Sequence, residues 1–117
     1  MLVRNFLTCD RRWNDSHGSG KQSYSGFVFQ ESDFDAPTHF VRYPTYPPGS
    51  GVGPHTHGND QELYVILEGR GTAEVNGERR EVTAGDIIVN PPYATHALRN
   101  TGETDLTMLL LEIACKD

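Results

Sequence analysis

Apolar residues along this chain recur with a period near two, in short runs cut by turn residues. The clearest run is 62–67, ELYVIL, in which Leu63, Val65 and Leu67 share one face and Tyr64 and Ile66 the other. A strand apolar on both faces must be covered on both, here by a second sheet or by a partner subunit. Residues 106–113 repeat the pattern, and 87–89 (IIV) reads as a shorter buried strand. Asn76-Gly77 joins 72–75 to 79–82 as a type I′ hairpin. Gly85 and the 100–103 segment mark further turns, and 95–98 is another short strand. Upstream, 39–46 is rich in β-formers, with Pro44 pointing to an edge position or a bulge. Residues 27–29 suit a strand, and 31–37 a loop or one helical turn capped by Ser32 and ended by Pro37. Seven to ten short strands at 8–12-residue spacing, with almost no helical period, predict an all-β sandwich or barrel.

Length and composition narrow this little further. A chain of 117 residues is expected to be one domain with a modest core. Residues 1–26 are read as an N-terminal extension packing on a single domain at 27–117. The net charge of −6 argues against nucleic acid or an anionic membrane as partner. The absence of a long apolar run and of a basic-then-apolar N-terminus leads to the expectation of a cytoplasmic location. Cys9 and Cys115 are expected to be free thiols.

The candidate chemistry lies in the 49–62 stretch, GSGVGPHTHGNDQE. In a strand His55 and His57 point to one face, ~7 Å apart along the chain. Glu62 has the opposite parity, but Gly58 and Asn59 allow a bend that resets the register. His96 comes from a neighbouring strand. Three imidazoles and a carboxylate suit Mn, Fe, Co, Ni, Cu or Zn, one divalent ion per subunit. Four such ligands would close a tetrahedral zinc site but leave two open positions on a six-coordinate ion. About one net positive charge remains, which favours an anionic or enolisable substrate.

Other polar residues carry two readings each. Tyr64 shares the face of Glu62 and is either a core tyrosine or a catalytic group beside the metal. Arg42 either faces inward to bind a substrate carboxylate or lies on the surface. His17, in a glycine-rich loop, is a ligand candidate or an exposed or supporting loop histidine. Thr72 and Asn90 are weaker candidates. His39 is read as structural, and Arg79-Arg80 as a solvated tip.

The spacing Gly49-x5-His55-x-His57-x4-Glu62-x6-Gly69 resembles the first motif of the cupins. Gly85-x5-Pro91-x-Tyr93-x2-His96-x3-Asn100 resembles the second, except that Tyr93 stands where the family has glycine. The resemblance implies a cupin barrel (double-stranded β-helix or jelly roll) of two antiparallel sheets, often dimeric. It carries the ligand roles onto His55, His57, Glu62 and His96. The chain is also similar to the small single-domain cupins of the oxalate-decarboxylase-like type. Tyr93 then either narrows the barrel mouth and contacts substrate or is a surface turn residue. The function implied is a metal-dependent enzyme (dioxygenase, isomerase, decarboxylase or lyase) acting on a small polar or carboxylate-bearing molecule. The alternative is a non-catalytic ligand-binding or accessory cupin with a structural metal. No fused helix-turn-helix supports a transcription-factor role.

Overall fold

The structure is a computed structural model that describes residues 1–115; Lys116 and Asp117, at the end of the expected domain, lie outside it. Among the described residues twelve strands form two antiparallel sheets. The smaller has the order β6 (Gly51–Thr56), β11 (Thr95–Arg99), β8 (Arg70–Val75), β9 (Glu78–Thr83). The larger has eight strands and is built on β12 (Leu106–Ala114). One edge of β12 pairs with β7 (Asp60–Glu68), which carries β10 (Ile87–Asn90) beyond it. The other edge pairs with β4 (Thr38–Arg42) and β5 (Thr45–Tyr46). Strand β3 (Phe27–Gln30) flanks β4, and β2 (Ser23–Ser25) flanks β5 and carries β1 (Arg12–Asn14).

The period-two pattern explains the layers. Tyr64 and Ile66 from β7, with Leu106, Met108 and Leu110 from β12, turn inward against Val52, Ala73, Val82 and Leu98 of the small sheet. Ile66, Leu106 and Met108 are essentially inaccessible, so truncating Met108 to Ala would cost about 2–5 kcal/mol. Asn76 and Gly77 both take positive φ (49° and 84°), the type I′ hairpin turn.

Three local expectations are corrected. Pro44 does not sit in an edge strand: the chain breaks at Tyr43-Pro44 into β4 and β5, and the Pro44 carbonyl accepts a hydrogen bond from Met108 N. The 31–33 turn is capped by Gln30 rather than Ser32, through a reciprocal pairing with Asp33. Strand β10 is not buried: Ile87 and Val89 are 62% and 55% exposed, because it is an edge strand whose outer face nothing among the described residues covers.

The N-terminal residues are tied to the large sheet. Arg11 lies between the rings of Tyr24 and Tyr43, 4.4 Å from each centroid, and hydrogen-bonds Thr45. Cys9 and Cys115 are free thiols. Among the described residues no helix is long and apolar enough to cross a membrane.

Candidate metal centre

The site spans the two sheets at one end of the core. His55 on β6 and His96 on β11 are directly opposed in register. His57 lies one residue past the end of β6, where its N–H reaches the Ala94 carbonyl. Residues 57–59 carry the chain from the small sheet to the large one, and Glu62 on β7 then faces back across the core. The bend expected at Gly58-Asn59 is thus a change of sheet, which is why the odd parity of Glu62 is no obstacle.

Each imidazole is anchored through Nδ1 so that Nε2 is presented inward. His55 Nδ1 donates to the Gly53 carbonyl at 2.9 Å. His57 Nδ1 lies 3.0 Å from Asp60 Oδ1 and 3.1 Å from Glu112 Oε1. His96 Nδ1 lies 3.2 Å from the Tyr64 hydroxyl. The three Nε2 atoms and a Glu62 oxygen converge: His55 Nε2 to His57 Nε2 is 3.0 Å, and Glu62 Oε1 is 2.9 Å from His57 Nε2 and 3.1 Å from His96 Nε2. All four ligand atoms lie within 4.8 Å of one another.

A divalent ion fits this donor set. Glu62 Oε1 and His96 Nε2 are buried and make no geometrically sound hydrogen bond, despite their proximity. Such atoms are costly to leave without a partner. Second partners that hold Nδ1 and free Nε2 are the usual support for a metal-binding histidine. Burial, opposed by the Gly53 hydrogen bond, lowers the His55 pKa to about 4, so the ring is neutral and its Nε2 lone pair free near pH 7.

The supporting shell is unusually acidic. Glu112 faces Glu62 across the β7–β12 pair. Burial first, then a hydrogen bond with Asp60 and the charge of Glu62, push the Glu112 carboxyl up to about 8. Asp60 is held below its ordinary value by hydrogen bonds with Glu112 and His57, against the opposing effect of burial. The Tyr64 phenol is raised well above its ordinary value, mainly by burial and by the neighbouring Glu62.

Beside the four ligands lies a cavity of about 340 Å³. His55, His57, Glu62, Tyr64 and Glu112 line its inner end, with Phe40, Arg42 and Tyr46 on the large-sheet wall. Asn14, Ser16, His17, Ser23 and Ser25 close the remaining side. Arg42 therefore faces inward. Its Nε is buried without a hydrogen-bond partner, and its guanidinium lies 4.9 Å from the centre of the Phe27 ring. Tyr64 lines the cavity but is fully buried, its hydroxyl against His96. Tyr93 lies outside the cavity lining, 67% exposed on the loop before β11. Asn90 is buried opposite Glu62 in the register, whereas Thr72 bonds Glu81 away from the site. His39 faces Glu31 on the far side of β4.

Sequence reasoning missed Asp60 and Glu112. The available signal was Glu112 itself, a carboxylate on the inward parity of the apolar run 106–113.

Comparison with known proteins agrees with this geometry. A family model described as "Cupin domain" matches residues 43–112. The chain is a cupin. It is 34% identical over 114 residues to an oxalate-binding protein of Thermotoga maritima, covering 97% of this chain and 93% of that one. A 5-nitrosalicylic acid 1,2-dioxygenase from Bradyrhizobium sp is 41% identical over 64 residues, 55% of this cupin and only 30% of the enzyme. The crystal structure of a predicted oxalate decarboxylase from Thermotoga maritima superposes with a TM-score of 0.89 at 27% identity, over 97% of this cupin and 99% of that chain. KdgF from Halomonas sp. superposes with a TM-score of 0.75 at 19% identity, over 100% and 96%, a likeness of fold alone.

Proposed function

We propose that this cupin holds one divalent first-row ion on His55, His57, Glu62 and His96 and binds a small carboxylate-bearing molecule at the two positions those ligands leave. The observation that carries the reading is the convergence of three Nδ1-anchored imidazoles and Glu62 on one point, with two buried ligand atoms otherwise unpartnered. When bound, the ion supplies Lewis acidity or a redox centre. The chain's own residues do the rest. Arg42 offers a guanidinium to a substrate carboxylate, and Tyr64 holds His96 in place and stands ready at the reacting side. The name of the Thermotoga relative supports oxalate or a similar dicarboxylate as the class of ligand.

Catalysis by decarboxylation, oxygen insertion, isomerisation or elimination is the first reading. The same relative's name, which speaks of binding, favours a second, in which the ligand is held without turnover. Tyr93, so exposed in the single chain, would contribute to substrate binding only from the rim of the mouth.

We further propose that the cupin works as a homodimer. The outer face of the large sheet carries Leu63, Val65 and Leu67 of β7, Leu109 and Leu111 of β12, and Ile87 and Val89 of β10, a surface suited to a second copy.

Metal analysis and thermal melts with Mn, Fe, Co, Ni and Zn test the metal reading. Ion at 100 times its Kd should stabilise the fold by about 2.7 kcal/mol. Protein that carries no metal and gains no stability from any of them overturns it. Oxalate titration followed by product assay separates turnover from binding.

A further inference from the structure

The N-terminal segment brings to the site a residue that the metal ligands and Arg42 do not account for. His17 lines the cavity, and its ring stacks on that of His55, 3.7 Å between centroids and 4° from parallel. His55 already has its Nδ1 committed to Gly53, so the stack is not needed to orient it. His17 is exposed on its other face, so its ring stays open to what enters the cavity.

The chain strains to put this residue here. His17 has φ 53°, a left-handed conformation that costs a histidine energy a glycine would not lose. The turn is nonetheless fixed on all sides. The Asp15 carboxylate accepts from Ser19 Oγ and Gly20 N, and Arg99 donates to the Ser19 carbonyl. Gly53 comes so close beneath that a Cβ there would lie 1.9 Å from the His17 carbonyl oxygen. A strained residue held at the cavity wall, with its ring stacked on a candidate ligand, is placed to meet whatever enters the cavity.

We propose that His17 is a ligand-contacting residue, its imidazole N–H donating a hydrogen bond to an anionic oxygen or nitrogen of whatever occupies the open positions of the metal centre. The inference rests on the metal reading above and extends it. The cavity grips its ligand from the barrel side through Arg42 and from the N-terminal side through His17, which suits a compact dianion.

The test uses full-length protein loaded with Co(II), with oxalate and, separately, azide titrated by calorimetry and by the visible spectrum. His17→Phe keeps a ring to stack on His55 but removes the nitrogens. It should hold Co(II) and melt as the natural protein does, yet bind both anions about tenfold or more weakly. His17→Gln, which restores an N–H donor, should recover part of the loss. His17→Phe protein that binds both anions with unchanged affinity overturns the proposal and leaves the metal reading intact. A His17→Phe variant that loses Co(II) or stability overturns it in favour of a packing role. Natural protein that takes up Co(II) but neither anion overturns both the open-site reading and this proposal, as does natural protein that takes up no metal.

Discussion

At the scale of single residues, the site depends on hydrogen bonds that hold imidazoles still. Tyr64 illustrates this: its hydroxyl meets His96 Nδ1, and its own ionisation is suppressed by burial. Tyr64→Phe removes one oxygen from the core and the hydrogen-bond partner that fixes His96 Nδ1. Metal affinity should fall about 10–100-fold in a competition titration against a chelator, the usual effect of losing a partner behind a ligand. Tyr93 illustrates a different constraint. Its φ is 60°, and its N–H donates to the Gly58 carbonyl. That left-handed backbone is the physical reason for the glycine the cupin pattern expects there. Tyr93→Gly should relieve about 1–2 kcal/mol of strain and return about 0.4–1 kcal/mol as chain entropy, for a small rise in melting temperature. The four candidate ligands that converge in the structure were legible because their spacing is rigid along the chain. Glu112 was not, because its partners across the sheet depend on a register that one sequence does not display, and Asp60 was not, because its approach to His57 depends on the shape of the turn at 58–59.

At the scale of elements, the alternation of apolar residues gave strands β7, β8, β9, β11 and β12 nearly to their ends. What it did not give was β1 and β2. Neither strand, Arg12–Asn14 nor Ser23–Ser25, contains an alternating apolar run; β2 exists because β5 offers it an edge, and β1 because β2 then offers it one. The 16–18 turn between them is then pressed onto β6 at Gly53. Gly53→Ala tests this contact. The new methyl has no room beside the His17 carbonyl, so the turn must move. A loss of about 1–3 kcal/mol is expected from denaturant titration, together with faster amide exchange confined to residues 12–25.

At the scale of the whole molecule, the outer face of the large sheet is the feature a single chain leaves unresolved energetically. Ile87 and Val89, more than half exposed, pair in register with Val65 and Leu63, so the apolar strip runs on from β10 across β7. Light scattering should give a dimer. Val89→Lys, on an edge strand where a charge costs a monomer little, should shift it toward monomer while leaving the melting profile of the dilute protein largely unchanged. A natural protein that is monomeric at tens of micromolar counts against the dimer.

The same sheet has a consequence in time. Strand β12 is the last of the twelve in chain order, yet it lies in the middle of its sheet, with β7 on one edge and β4 and β5 on the other. During synthesis those three strands wait with open edges, and Glu112, which braces His57, arrives with β12. The proposed metal centre therefore lacks the Glu112 brace on His57 until the last strand is in place. The long sequence separations of these pairings make that final step slow and expose the nascent chain to misassociation. On that reading, full support for the proposed site comes only once the barrel has closed on its last strand.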